Sequence, residues 1–136
     1  MDGQVVGAIG RGLCALIGVG RHDTPEDAIW LSNKLAECRI FRDEQDKMNR
    51  SIKDVGGSVL AISQFTLYGD MRKGRRPSFG DAMDPSEAQP LFDRLCEHLR
   101  SEHSLPVQLG QFGANMQVET INDGPVTLLL DSKKQF

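Results

Sequence analysis

Cysteine is scarce and unpatterned in this chain. Cys14, Cys38 and Cys96 make an odd number and form no Cys-x-x-Cys pair. That excludes a disulfide framework and a thiolate zinc site, and reads as reduced thiols in a cytosolic protein. No apolar run is long enough to span a membrane, and no stretch reads as a secretory signal. Low-complexity tracts and internal repeats are missing. The glycines at 7, 10, 12, 18 and 20 build no Gly-x-Gly-x-x-Gly at the head of a helix, which argues against a dinucleotide-binding fold. A strong positive charge is also missing. The formal net charge of −3 excludes a generally basic nucleic-acid binder but leaves room for a local basic patch. Asp43, Glu44, Asp46 and Lys47 make an acid-rich loop that fits no calcium-loop spacing, so it reads as solvated. No metal and no cofactor are expected.

What is present fits one domain over residues 1–136 with one core. Residues 5–9 and 13–19 are short apolar runs bounded by glycine and read as strands. Thr24-Pro25-Glu26-Asp27 opens a helix that runs to about Cys38, with Ala28, Leu31 and Leu35 on its inner face. Residues 39–41 suggest a short strand and residues 42–57 a loop. Residues 58–68 are the most strand-like run. The continuous apolarity of Val59-Leu60-Ala61-Ile62 points to burial on both faces. Asp84-Pro85-Ser86-Glu87 opens a second helix, with Ala88, Leu91, Phe92, Leu95 and Leu99 at helical spacing. Pro90 argues for a later start or a kink. Residues 117–121 and 126–130 read as late strands joined by a turn. The pattern predicts an α+β fold, a mainly antiparallel, barrel-like β-sheet with two packed helices.

Three stretches carry candidate chemistry. Ser63-Gln64-Phe65-Thr66 places polar residues in the second half of a buried strand. They are either hydrogen-bonded core groups or a pocket wall of hydroxyls and backbone N–H groups. A Ser or Thr nucleophile needs a positioned base. The only histidines, His22, His98 and His103, neighbour neither this motif nor the next one in sequence. Asn122-Asp123-Gly124-Pro125 is a turn by residue type, and it offers a ligand only backbone atoms at Gly124-Pro125. Arg72, Lys73, Arg75 and Arg76 are four cations in five residues, either a solvated loop or a phosphate clamp.

Together, Ser63-Gln64-Phe65-Thr66-Leu67 and Asn122-Asp123-Gly124-Pro125-Val126-Thr127 closely resemble the D-aminoacyl-tRNA deacylases. Gly10-Arg11-Gly12-Leu13, Arg39-Ile40-Phe41, Lys47-Met48-Asn49, Arg76-Pro77-Ser78-Phe79 and Phe112-Gly113-Ala114-Asn115-Met116 are similar to the same family, in order along nearly the whole chain. The Ser-Gln-Phe-Thr form resembles the branch common to bacteria and eukaryotes.

The resemblance implies a cytoplasmic proofreading hydrolase that cleaves the ester of D-aminoacyl-tRNA, and of glycyl-tRNA, without a cofactor. It implies a homodimer with its pockets at the subunit interface and no DNA or membrane partner. Gly124 and Pro125 would be a cis chirality filter, with Ala114 and Met116 also binding substrate. Phe65 would supply an oxyanion-hole N–H, with Ser63, Gln64 and Thr66 lining the pocket and the tRNA's own 2′-hydroxyl helping to activate water. Arg72, Lys73, Arg75 and Arg76 would contact tRNA. A non-catalytic RNA-binding module using the same basic loop is the alternative. Family members begin with an additional strand before the part matching Asp2-Gly3-Gln4, so the chain is expected to start after that strand, leaving a sheet edge unpaired.

Overall fold

Both helices begin at the signals written in the chain. In the computed structural model, which describes residues 3–135, α1 spans Pro25–Glu37 and α2 spans Pro85–Ser101. Asp27 Oδ2 accepts the Thr24 N–H at 2.8 Å, and Asp84 Oδ1 accepts the Ser86 N–H at 3.0 Å, so each first turn is capped by a carboxylate. Pro90 lies inside α2, and the helix starts at Pro85 rather than later. Pro90 is the sixth residue of the helix, so it removes the N–H that would bond the Ser86 carbonyl, on an exposed position.

The strands are β1 (Gly12–Ile17), β2 (Phe41–Arg42), β3 (Met48–Arg50), β4 (Ser58–Ser63) and β5 (Val107–Leu109). The main sheet has the order β1-β4-β5, and both of its pairings are parallel. This corrects the expected mainly antiparallel sheet. Each connection, β1 to β4 and β4 to β5, carries a helix, as parallel neighbours require. The unbroken apolar run of β4 is the mark of a central strand in a parallel sheet: Val59, Ala61 and Ile62 are all buried. The antiparallel pairing is β2 with β3, the latter inside the expected 42–57 loop. Among the described residues the strands form these two separate sheets and do not close into a barrel.

Three expected strands are absent among the described residues: 5–9, 117–121 and 126–130 are irregular. Most of their apolar side chains face solvent, Ile121 being 93% and Val5 82% exposed, while Leu130 packs against the core. Strand propensity reports the fit to a paired, half-buried surface, and these segments have no such partner here. The run at 58–68 also divides. It stays extended through Ser63 and then coils into a 3-10 turn, Phe65–Tyr68.

The core gathers Ala15, Ile17, Val59, Ala61 and Val107 from the sheet, Leu35 and Ala36 from α1, and Phe92, Leu95, Cys96 and Leu99 from α2. Ile52, in the connection ahead of β4, is fully buried with them. This packing covers one side of the sheet. On the other side Leu16 of β1 is half exposed and Cys14 is exposed.

Candidate active site

The carboxyl end of β4 is the end of the middle parallel strand, the position at which open sheets of parallel strands meet ligands. Ser63 closes the strand opposite Ile17 of β1. The Gln64 N–H continues the ladder by donating to the Ile17 carbonyl at 2.8 Å, after which the chain turns. Gln64 Nε2 donates to Thr66 Oγ1, tying the two polar side chains together across the turn. Phe65 opens the turn and is 58% exposed, its ring edge-on to Phe79 with centroids 5.0 Å apart. The first N–H groups of such a turn have no carbonyl within it to bond. The backbone at Phe65 therefore presents a donor beside two hydroxyls and an amide.

No histidine is hydrogen-bonded to Ser63 or Thr66 among the described residues. His98 Nδ1 lies 2.6 Å from the buried Ser32 hydroxyl, and His103 Nε2 lies 2.7 Å from Asn33 Oδ1. Both rings are engaged with α1 and stack edge-on with each other.

The basic stretch is a closed loop. Asp70 and Ser78 exchange two backbone hydrogen bonds, at 2.7 and 2.9 Å, and Arg72, Lys73, Arg75 and Arg76 are exposed between them. Arg72 folds back on Asp70, with Nη2 2.8 Å from Oδ2 and Nε 3.0 Å from Oδ1. The Arg72 side chain, followed by its N–H, holds the Asp70 carboxyl down at about 2. Lys73, Arg75 and Arg76 have no ion-pair partner among the described residues, so they are the uncompensated charges of the loop.

The Gly124-Pro125 peptide is cis, and both residues are exposed. Gly124 has φ +138°, a region open to glycine and closed to most side chains. Among the described residues, no hydrogen bond or ion pair connects 122–127 to 63–66 within the chain. Ala114 donates its N–H to the Gln111 carbonyl at 3.1 Å. The Met116 sulfur accepts the Gln111 N–H at 3.4 Å and covers Gly110 beside Ile62, next to the end of β4. Met116 is thus brought toward the Ser63 motif, while Gly124 and Pro125 are bonded to neither.

Sequence patterning assigns no functional role to Tyr68, Asp23, Asp27 or Lys133, which meet around a cavity of about 50 Å³ or at its rim. The one local signal is the spacing Gly18-Val19-Gly20, which leaves room for a ring. Burial, then Asp23 and other nearby carboxylates, push the Tyr68 hydroxyl up to about 12. Among the described residues, no group of three or more His, Cys, Asp or Glu side chains is placed to hold a metal ion.

Fold and site define an α+β protein whose polar turn sits at the end of a central parallel strand, accompanied by a basic loop and a Gly-Pro backbone step. The family model described as D-Tyr-tRNA(Tyr) deacylase matches residues 1–131, and the chain belongs to that family. A D-aminoacyl-tRNA deacylase of Halalkalibacterium halodurans is 57% identical over 133 residues, covering 98% of this chain and 90% of that one. That of Thermosipho melanesiensis is 51% identical over 136 residues, covering 100% and 91%. Among solved structures, one titled c-Myc DNA Unwinding Element Binding Protein is similar with a TM-score of 0.81 and 38% identity, covering 88% of this chain and 81% of that one. A probable eukaryotic D-amino acid tRNA deacylase shares the fold with a TM-score of 0.64 at 21% identity, covering 79% and 77%.

Proposed function

We propose that this chain hydrolyses the ester bond of D-aminoacyl-tRNA, releasing the D-amino acid and free tRNA as a proofreading step in translation. The observation that carries the reading is the family match across residues 1–131, together with relatives above half identity over essentially the whole chain. In the reaction, a water oxygen adds to the ester carbonyl carbon. The bond to the ribose oxygen breaks, and that oxygen leaves with a proton.

The Phe65 N–H is the oxyanion donor, a role suited to a fixed donor aimed at developing charge. Ser63, Gln64 and Thr66 line the pocket, with Ala114 and Met116 on its rim. Catalysis rests on positioning, with the tRNA 2′-hydroxyl helping to activate water. The hydrogen bonds that engage His98 and His103 elsewhere support a site without a Ser-His pair.

The working unit is a homodimer with pockets at the subunit interface. The broad exposure of Val5, Ile121, Leu128 and Leu129 supports a covered apolar face. Gly124 and Pro125 of one subunit face the pocket of the other as a chirality filter. Only backbone atoms stand there, so an L-residue is excluded by its β-carbon and a D-residue is admitted. Glycine lacks that carbon, so glycyl-tRNA is also a substrate. Lys73, Arg75 and Arg76 contact the tRNA backbone, with Arg72 held beside them by Asp70. The enzyme acts in the cytoplasm, where its substrate is made.

Turnover tests this reading. Protein at one hundredth of the D-Tyr-tRNA concentration releases all of the D-tyrosine. Salt-sensitive tRNA binding without release would replace the enzyme with a non-catalytic RNA-binding module built on the same basic loop.

A further inference from the structure

We propose that Tyr68 and Lys133 are positioning residues that lock the Phe65–Tyr68 turn and the segment following Pro125 into one fixed arrangement on the same subunit. The inference rests on the deacylase reading and adds a joint that neither motif contains.

The turn is pinned at both ends. At its start the Gln64 N–H is bonded to Ile17 at the end of β1. At its finish the Tyr68 ring occupies a slot made by two glycines just past β1. A β-carbon on Gly18 would lie 3.1 Å from ring Cε2, and one on Gly20 would lie 2.7 Å from the hydroxyl oxygen. Neither approach is open to a residue with a side chain unless the ring moves. The Gly20 N–H is itself held, donating to Asp23 Oδ2 at 2.7 Å. The slot, the ring and the acid are therefore one unit.

The C-terminal segment docks on that unit. Leu130, Asp131 and Ser132 line the same cavity of about 50 Å³ as Tyr68, Asp23 and Asp27. Lys133 closes it. Its Nζ donates to Asp27 at 3.0 and 3.2 Å and lies 3.8 Å from Asp23. Its own N–H is held by Asp131 Oδ1 at 2.9 Å, so the lysine starts from a fixed backbone. Burial alone would raise Asp27, but the Thr24 N–H and the Lys133 ammonium outweigh it and hold the carboxyl below its ordinary value. Asp27 also caps α1. One carboxylate thus joins the helix start to the segment a short way downstream of Gly124-Pro125. The joint anchors the segment from Leu130 to Lys133 to its own subunit, a few residues downstream of the Gly-Pro step.

The test uses the full chain on D-Tyr-tRNA and L-Tyr-tRNA, with wild type, Tyr68→Phe, Tyr68→Ala, Lys133→Arg and Lys133→Met. Wild-type activity on D-Tyr-tRNA is measured first. Its absence overturns the deacylase reading and this inference with it. With wild type active, Tyr68→Ala and Lys133→Met are expected to lose about tenfold or more in kcat on the D-substrate. KM should change less than threefold, and the D-to-L rate ratio should narrow. Tyr68→Phe, which keeps the ring, and Lys133→Arg, which keeps the bridge, are expected to stay within threefold of wild type. Lys133 is exposed, so its variants test the claim even where Tyr68→Ala fails to fold. Lys133→Met with wild-type kcat and an unchanged D-to-L ratio overturns the inference while leaving the deacylase reading intact. So does failure of Lys133→Arg to restore what Lys133→Met loses.

Discussion

Asn122 closes its own loop on Val126. Its Oδ1 accepts the Val126 N–H at 2.9 Å, while its Nδ2 donates to the Thr127 hydroxyl at 3.0 Å. Gly124 and Pro125 lie inside this closure with no other polar side chain bonded across them among the described residues. The Asn and Thr of the Asn-Asp-Gly-Pro-Val-Thr motif are thus a frame for the two residues between them.

Removing the frame should separate activity from stability. Asn122→Ala deletes two hydrogen bonds from an exposed loop. Each such bond contributes about 0.5–1.5 kcal/mol to local order. The expected result is a fall of about tenfold in kcat/KM on D-Tyr-tRNA, one decade being about 1.4 kcal/mol. The melting temperature should move little, since the two bonds order an exposed loop whose opening is local rather than global. Steady-state kinetics beside a thermal melt check both halves.

Thr66 tests whether a side chain performs the chemistry. Its hydroxyl accepts a hydrogen bond from Gln64, and no histidine is bonded to it. Thr66→Ala is therefore expected to keep kcat within about tenfold of wild type, a loss of about 1.4 kcal/mol or less. Single-turnover rates measure this. Complete loss with an intact fold would make Thr66 a nucleophile or an essential proton relay.

Much of this was legible in the residues, and the misses have physical causes. Thr24-Pro25 and Asp84-Pro85 mark both helix starts because capping is local chemistry. The two motifs are readable as short local patterns, but the strand expected over 58–68 ends at Ser63, where composition gives no stop. The direction of the strands is not local. The apolar run of β4 carries the parallel signature, but which strand lies beside it depends on crossovers through α1 and α2. Residues 117–121 and 126–130 have strand-like composition and no partner, so composition alone overstates them. The Tyr68, Asp23, Asp27 and Lys133 joint draws on distant parts of the chain, and only Gly18-Val19-Gly20 hints at it.

The basic loop makes a salt-dependent prediction. Arg72 is compensated by Asp70, whereas Arg75 and Arg76 are not. Replacing both with alanine should weaken tRNA binding at low salt. The slope of log affinity against log salt should become shallower by about 0.7 to 0.9 for each phosphate that the protein no longer neutralises. Arg72→Ala should change the slope less. Titrations of uncharged tRNA at several salt concentrations measure this.

The histidine cluster makes a stability prediction with a defined sign. Burial, then Lys53 and His98, hold the His103 imidazole below its ordinary value. A histidine lowered in this way contributes stability that is present above its unfolded pKa of about 6.5. That stability is lost as pH falls through the folded value. Unfolding in urea should therefore become easier between about pH 7 and pH 5. His103→Gln, which can still donate to Asn33, should flatten that part of the profile.

Stereochemical discrimination by the Gly124-Pro125 backbone is read from initial rates on D-Tyr-tRNA and L-Tyr-tRNA under identical conditions. The D-ester is expected to be cleaved at least about a hundredfold faster, a difference of about 2.7 kcal/mol in the barrier. Equal rates on the two esters would contradict it.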